Sequence, residues 1–196
     1  MTQQNIMHFI QINNGMLTNQ QAVANGISRG MIKYLVKQGK LQRAARGVYT
    51  LPEVLEDEFL NLQTRFKRGI FSHETALFLY NLTDRTPNHY RMTFPEHYNL
   101  SNPRIEGIRC TQVKLAFYSL GIESIKSPAG NILRCYSAER TLCDILRPHQ
   151  AADIQIISEA FKNYVQSQRK DIPKLSEYAK ILRVEKKIRT YLEVLL

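Results

Sequence analysis

Thr18-Asn19-Gln20-Gln21-Ala22-Val23-Ala24-Asn25-Gly26-Ile27-Ser28-Arg29-Gly30-Met31-Ile32-Lys33-Tyr34-Leu35-Val36-Lys37-Gln38-Gly39 decides the fold of the N-terminal part of this 196-residue chain. Thr18 followed by Gln21 is a capping box, in which each side chain satisfies a free backbone donor at a helix start. The short helix it opens should run to about Asn25 and stop at Gly26, which adopts the left-handed conformation at little cost. Ser28 then caps a second helix through about Gln38, closed by Gly39. Two short helices joined by a tight turn containing glycine make a helix-turn-helix.

At about 100° per residue, Met31, Ile32, Leu35 and Val36 fall on one arc of the second helix. Arg29, Lys33 and Lys37 share another, bordered by Gly30 and Tyr34. Three cations at this spacing suit either a solvated face or a polyanion. The adjoining segment favours the polyanion. Leu41 to Leu51 reads as two short strands around a turn at Gly47, with β-prone Val48, Tyr49 and Thr50 after it. A hairpin directly after such a helix is a wing, and it carries Arg43 and Arg46. With Lys40 these make six basic residues in the first 52, without one Asp or Glu. The remainder is more balanced, with 12 Lys/Arg against 11 Asp/Glu in residues 53–150 and 9 against 6 beyond. The candidate DNA-binding residues are therefore Arg29, Lys33, Tyr34, Lys37, Lys40, Arg43 and Arg46. An upstream helix over about Gln4 to Asn13 supplies Ile6, Phe9 and Ile10 to the same small core.

Leu51-Pro52-Glu53 marks the expected domain boundary, giving a winged helix-turn-helix domain over residues 1–52 and a second domain over 53–196. Proline ends the wing strand, and the acids Glu53, Glu56, Asp57 and Glu58 then cluster, three of them in the first turn of the next helix. That helix, about Glu56 to Lys67, carries an apolar stripe of Leu55, Phe59, Leu62 and Phe66. Ser72 should cap a helix to about Leu82. Strands are expected at Tyr90 to Phe94, Gly107 to Leu115 and Ile132 to Tyr136. Ser137 should cap a helix ending near Arg147. Helices over about Ala152 to Gln166, Pro173 to Leu182 and Val184 to Leu195 complete an α+β, mainly helical chain.

Catalytic signals are sparse. His8, His73, His89, His97 and His149 are scattered and no CxxC, HxxxH or CxxH spacing occurs, so no metal is expected. A glycine-rich phosphate loop is lacking, and His73 reads as a local structural residue. The most enzyme-like cluster is Glu139, Cys143 and Asp144. On a helix Glu139 and Asp144 diverge by about 140° and cannot share a metal or a proton. Arg140 and Asp144, four apart, read as a surface ion pair, with Leu142, Ile145 and Leu146 in the core and Cys143 as a small buried residue. No cofactor is called for. Cys110, Cys135 and Cys143 form an odd, unpaired set, and there is no apolar span or leader, so a cytoplasmic protein with no membrane partner is expected. At the C-terminal end Arg183, Lys186, Lys187 and Arg189 flank an apolar stripe of Val184, Ile188, Tyr191, Leu192 and Leu195. They are either a solvated face interrupted by Glu177, Glu185 and Glu193, or a second polyanion contact.

Gly26-Ile27-Ser28-Arg29, Leu35-Val36-Lys37-Gln38-Gly39-Lys40-Leu41 and Arg46-Gly47-Val48-Tyr49 resemble the winged-helix N-terminus of AbiEi-type antitoxins. Those are the antitoxin halves of bacterial abortive-infection (type IV) toxin–antitoxin pairs. Phe71-Ser72-His73-Glu74-Thr75-Ala76-Leu77 and Leu82-Thr83-Asp84-Arg85-Thr86-Pro87 look like the family's second-domain entry. Glu139-Arg140-Thr141-Leu142-Cys143-Asp144-Ile145-Leu146-Arg147 looks like a later family segment. The resemblance implies a non-enzymatic repressor of its own operon that binds double-stranded promoter DNA at inverted repeats. It also implies a second domain that neutralises a nucleotidyltransferase-like toxin, and so protects against phage, without a stable toxin complex. A ligand-responsive winged-helix regulator and a nucleic-acid-modifying enzyme delivered by the winged helix are the alternatives.

Overall fold

The computed structural model describes residues 2–54, 56–148 and 152–195. Expectations for Leu55 and His149 fall outside them. The chain forms two compact units: residues up to Lys67 together with Lys126–Leu133, and Arg68–Ile125 together with residues from Arg134 on.

The first unit opens with α1 (Gln3–Ile12), capped by Thr2. Strand β1 (Met16–Thr18) leads into α2 (Asn19–Ala24) through the capping box: Gln21 N–H donates to Thr18 Oγ1 at 3.2 Å and Thr18 N–H donates to Gln21 Oε1 at 2.8 Å. Gly26, at φ +65°, makes the turn. Helix α3 (Arg29–Lys37) starts at Ser28, whose hydroxyl accepts from Met31 N–H at 3.2 Å, and it ends before Gly39 at φ +68°. Strands β2 (Gln42–Ala45) and β3 (Val48–Thr50) form the wing around Gly47 at φ +85°. The sheet has a third strand that the sequence did not announce. β3 lies in the middle, antiparallel to β2 on one side and to β1 on the other, with Leu17 opposite Tyr49. Beneath it Ile6, Ile10, Leu17, Ala22, Ile27, Ile32, Leu35, Leu41 and Leu51 form one apolar cluster, with Phe9, Met31 and Val36 packed against it.

Helix α4 (Glu58–Arg65) also belongs to this unit. It starts later than the acids suggested, because Asp57 is its N-cap and only Glu58 lies in its first turn. Asp57 is 3% exposed and accepts from Leu60 N–H at 3.1 Å, Ser127 Oγ at 2.5 Å and Asn131 Nδ2 at 2.8 Å. The carboxylate thereby ties segment 126–133 to the helix start. Phe59, Leu62 and Phe66 are buried as the stripe requires.

The second unit is built on a five-stranded sheet in the order β6-β5-β4-β8-β7. Its elements, in chain order, are β4 (Ile70–Phe71), α5 (His73–Leu79), β5 (Arg91–Pro95), α6 (Ser101–Ile105), β6 (Arg109–Val113), α7 (Leu115–Tyr118), β7 (Ile122–Lys126), β8 (Ile132–Tyr136), α8 (Ala138–Asp144), α9 (Ile154–Gln166), α10 (Ile172–Ile181) and α11 (Glu185–Leu195). β4 runs antiparallel to β5 and parallel to β8, and β5 runs parallel to β6. Ser72 stands at the start of α5 but its hydroxyl makes no cap bond. It accepts instead from Thr93 Oγ1 at 2.9 Å and lies 3.0 Å from His73 Nδ1. Leu142, Cys143, Ile145 and Leu146 pack with Ile157, Phe161, Tyr164, Leu175 and Ile188 into the second core. The fold is α+β, as the sequence implied. Among the described residues no helix is long and apolar enough to cross a membrane.

Candidate nucleic-acid interface

Helix α3 is held in place by its apolar arc. Ile32 and Leu35 are buried, and Met31 and Val36 are half-buried against the first core. The opposite arc is thereby committed to solvent: Arg29, Lys33 and Lys37 are exposed, and Tyr34 beside them is 48% exposed. A Cβ built on Gly30 would meet nothing closer than Ser28 Oγ at 3.8 Å, so backbone is accessible between the cations. Lys40 is exposed immediately after the helix.

The wing adds two more exposed cations. A bulge between Arg43 and Ala45 breaks the β2–β3 register, and Arg43 Nε donates to Ala45 O at 3.4 Å. Arg46 precedes Gly47, whose carbonyl accepts from Asn19 N–H at 2.8 Å and ties the wing turn to the start of α2. Among the described residues none of these six cations has an ion-pair partner. A cation at the N-terminus of α3 opposes the helix macrodipole by about 0.3–1 kcal/mol, so Arg29 adds nothing to helix stability there.

Arg183, Lys186, Lys187 and Arg189 are also exposed, but two of them have local duties. Lys187 Nζ donates to Leu146 O at 2.8 Å, and Arg189 pairs with Glu185 at 3.5 Å.

The enzyme-like cluster resolves into interior contacts. The expected surface pair is a correction: Arg140 and Asp144, joined at 2.9 Å, have side chains 0% and 3% exposed, because α8 is enclosed on all sides. Arg140 Nη1 also donates to the carbonyls of Phe117 at 2.7 Å and Leu120 at 3.1 Å, and its guanidinium lies 4.4 Å from the Tyr136 ring centre. Glu139 accepts from Tyr164 Oη at 3.0 Å and pairs with Lys174 at 3.5 Å, and Lys174 reaches Glu123 at 2.5 Å. Burial works against the Lys174 charge, yet the hydrogen bond to Glu123 and the charges of Glu139 and Glu123 outweigh it and raise its pKa. Burial pushes the Cys143 thiol up to about 12, with Asp144 adding to the rise and Arg140 opposing it. At neutral pH it is therefore a thiol and a poor nucleophile. Among the described residues no three His, Cys, Asp or Glu side chains gather as a metal site. Sequence reasoning missed the Lys174 network, whose members come from strands and helices far apart in the chain.

Comparison with known proteins bears on the N-terminal segment first. Residues 4–52 match the AbiEi_4 family, described as transcriptional regulator, AbiEi antitoxin. The match spans α1 to the end of the wing, the same segment that carries the exposed cations. Among solved structures, the crystal structure of the RV2827C protein from Mycobacterium tuberculosis is similar, with a TM-score of 0.55 at 14% identity. The likeness covers 90% of this chain and 70% of that one, and it is a likeness of fold. No curated protein matches significantly.

Proposed function

We propose that this chain is a DNA-binding antitoxin that represses its own toxin–antitoxin operon through residues 1–52. The observation that carries the reading is the acid-free basic face, with Arg29, Lys33 and Lys37 exposed on α3 and Arg43 and Arg46 on the wing. Arg29, Lys33 and Lys37 enter or border the major groove of promoter inverted repeats, with Tyr34 and Gly30 as the neighbouring contacts. The wing arginines and Lys40 hold flanking phosphates. Residues 53–196 neutralise a nucleotidyltransferase-like toxin without a stable complex and without chemistry of their own, in the cytoplasm. Arg183 and Lys186 extend the contact with polyanion. The family description matched by residues 4–52 supports the antitoxin and regulator reading, and the sequence resemblance supports the division.

The test is salt-dependent binding of a labelled promoter duplex. With five or six phosphates neutralised, log K should fall against log salt with a slope of about −5. The Lys33→Ala/Lys37→Ala variant should reduce the slope by roughly 2 and release a promoter reporter, while still rescuing growth against the neighbouring toxin gene. A slope near zero for the full chain removes the reading. Point variants separate the two roles better than truncation at residue 52, since Asn131 in the first unit donates to Met16 Sδ at 3.1 Å.

A second reading rests on a groove of about 340 Å³ lined by Leu146, Ile157, Lys187, Thr190 and Tyr191. It lies within the usual size range of small-molecule sites. In that reading the chain is a ligand-responsive regulator, and a small molecule that shifts duplex affinity in the full chain but not in a Thr190→Trp variant would support it.

A further inference from the structure

Residues 126–133, which join β7 to β8, belong to the first unit. The segment closes on itself: Ser127 N–H donates to Asn131 O at 2.8 Å and Gly130 N–H to Ser127 O at 2.9 Å. Asn131 is buried, and its Nδ2 donates twice. One bond goes to Oδ2 of Asp57, the cap of α4, at 2.8 Å, and the other to Sδ of Met16, the first residue of β1, at 3.1 Å. A Cβ on Gly130 would come within 3.4 Å of Asn14 Nδ2, so the turn also lies against the approach to β1. Met16 is the base of the wing sheet. It stands opposite Thr50, with Leu17 opposite Tyr49 and Thr18 opposite Val48, and Tyr49 in turn stands opposite Arg43. A slip of β1 by one residue would turn buried Leu17 outward, so β1 and β3 keep register and move together. At the other end of β1, Asn19 N–H holds Gly47 O at 2.8 Å, beside Arg46. Two strand spacings of about 4.8 Å separate β1 from the strand that carries Arg43.

We propose that Asn131 is a positioning residue for the DNA interface: by fixing Met16 against Asp57 it sets where β1, β3 and the wing arginines Arg43 and Arg46 stand relative to α3. The inference rests on the promoter-binding reading above and adds to it a determinant far from the cations in sequence. β1 is three residues long and lies at the edge of its sheet, so its own ladder is short and its end contacts decide its place. Helix α3 is held by other means, the packing of Ile32 and Leu35 in the apolar cluster. Loss of the Asn131 tie therefore shifts the wing and leaves the helix in place. At about 0.1 M salt each neutralised phosphate is worth roughly eightfold in affinity by counterion release. A displaced wing forfeits two such contacts, roughly 60-fold in affinity and about 2 in salt slope.

The test is binding of the labelled promoter duplex by the full chain across a salt series, with each variant's circular dichroism melt checking that it is folded. Asn131→Ala should change the slope of log K against log salt from about −5 to about −3. A mere loss of folded protein lowers affinity equally at every salt concentration and leaves the slope alone. Arg43→Ala/Arg46→Ala should also give about −3, and adding Asn131→Ala to it should change nothing further. Adding Asn131→Ala to Lys33→Ala/Lys37→Ala should instead bring the slope to about −1. Amide exchange gives a second measurement: in Asn131→Ala, Val48 to Thr50 should lose protection while Ile32 and Leu35 keep theirs. If Asn131→Ala does not fold, Met16→Leu replaces it, since it keeps the volume without the acceptor, and should shift the slope the same way by about 1. The inference is overturned if the tested variant keeps the slope of the unmodified chain, or if its effect adds to that of Arg43→Ala/Arg46→Ala. Equal loss of protection in α3 and the wing overturns it as well. A slope near zero for the unmodified chain removes the promoter reading and this inference together. A slope near about −5 that Asn131→Ala leaves unchanged removes this inference alone.

Discussion

Asp57→Ala tests whether a single carboxylate holds segment 126–133 in the first unit. The wild-type carboxylate is 3% exposed and accepts three hydrogen bonds, from Leu60 N–H, Ser127 Oγ and Asn131 Nδ2. Loss of the N-cap costs about 1 kcal/mol. The Ser127 hydroxyl and the Asn131 amide then lose a charged acceptor in a buried setting, at about 1–3 kcal/mol each. Asn131 keeps its contact with Met16 Sδ, and its own N–H still donates to Ser127 Oγ at 3.1 Å, so the lower half of that range applies. The sum is roughly 3–5 kcal/mol, a third or more of a typical domain's stability. Urea unfolding followed by circular dichroism and tyrosine emission, in a chain with ten tyrosines and no tryptophan, reads it out. With a slope of about 2 kcal/mol/M the midpoint should fall by roughly 2 M. Asp57→Asn keeps one acceptor for the cap and should cost about half as much. In a double-mutant cycle Asp57→Ala and Ser127→Ala should be less than additive by about 1–2 kcal/mol. A destabilisation of Asp57→Ala under about 0.5 kcal/mol, or strict additivity with Ser127→Ala, would refute the reasoning.

Three further outcomes are expected. Gly47→Ala forces a side chain onto φ +85° with its Cβ 2.8 Å from Asn19 Nδ2. It should destabilise the wing by about 1–2 kcal/mol and weaken duplex binding, and unchanged affinity would count against a role for the wing. Arg140→Met leaves buried Asp144 with only Arg147 at 3.6 Å and strands the Phe117 and Leu120 carbonyls. It should cost about 3–5 kcal/mol in urea unfolding, with Asp144→Leu on top partly restoring stability. Burial raises the Cys143 thiol to about 12 and pushes the Tyr80, Tyr136 and Tyr164 hydroxyls up as well. The unfolded chain therefore loses protons first. Their contribution is complete below about pH 8.5 and is lost as pH rises toward 12, so a urea midpoint that stays flat from about pH 8 to 11 would contradict it.

The helix-turn-helix was legible because its determinants are local. Thr18 and Gln21 cap within one turn, Gly26, Gly39 and Gly47 take positive φ where a turn needs it, and the apolar arc of α3 follows from helical periodicity. Strand β1 was not legible. Met16–Thr18 is three residues long and buried throughout, without alternation, and it becomes a strand only by pairing with Val48–Thr50. Asp57 was visible as one acid among four. Its selection as the cap depends on Ser127 and Asn131, about seventy residues away, for which local spacing carries no signal. The seven candidate DNA-binding residues lie at exposed positions on α3, just after it and along the wing hairpin, because amphipathic spacing and turn position already determine exposure there.

In α8 the spacing was right and the medium was wrong. Four-residue separation does bring Arg140 to Asp144, but spacing within one helix says nothing about what covers it. In water such a pair is worth a few tenths of a kcal/mol. Enclosed, each charge depends on the other to offset its lost hydration, and removing one alone becomes costly. The same enclosure decides what Glu139 does. Its partners Tyr164 and Lys174 come from α9 and α10, so the carboxylate joins three helices that the sequence shows only as separate amphipathic segments. Glu139 and Asp144 are 4% and 2% exposed, and the cations and phenols they face belong to the fold. A general acid or base needs a carboxylate within reach of a substrate proton. Glu139 instead joins α8 to α9 and α10, and Asp144 holds Arg140, whose guanidinium reaches the Phe117 and Leu120 carbonyls.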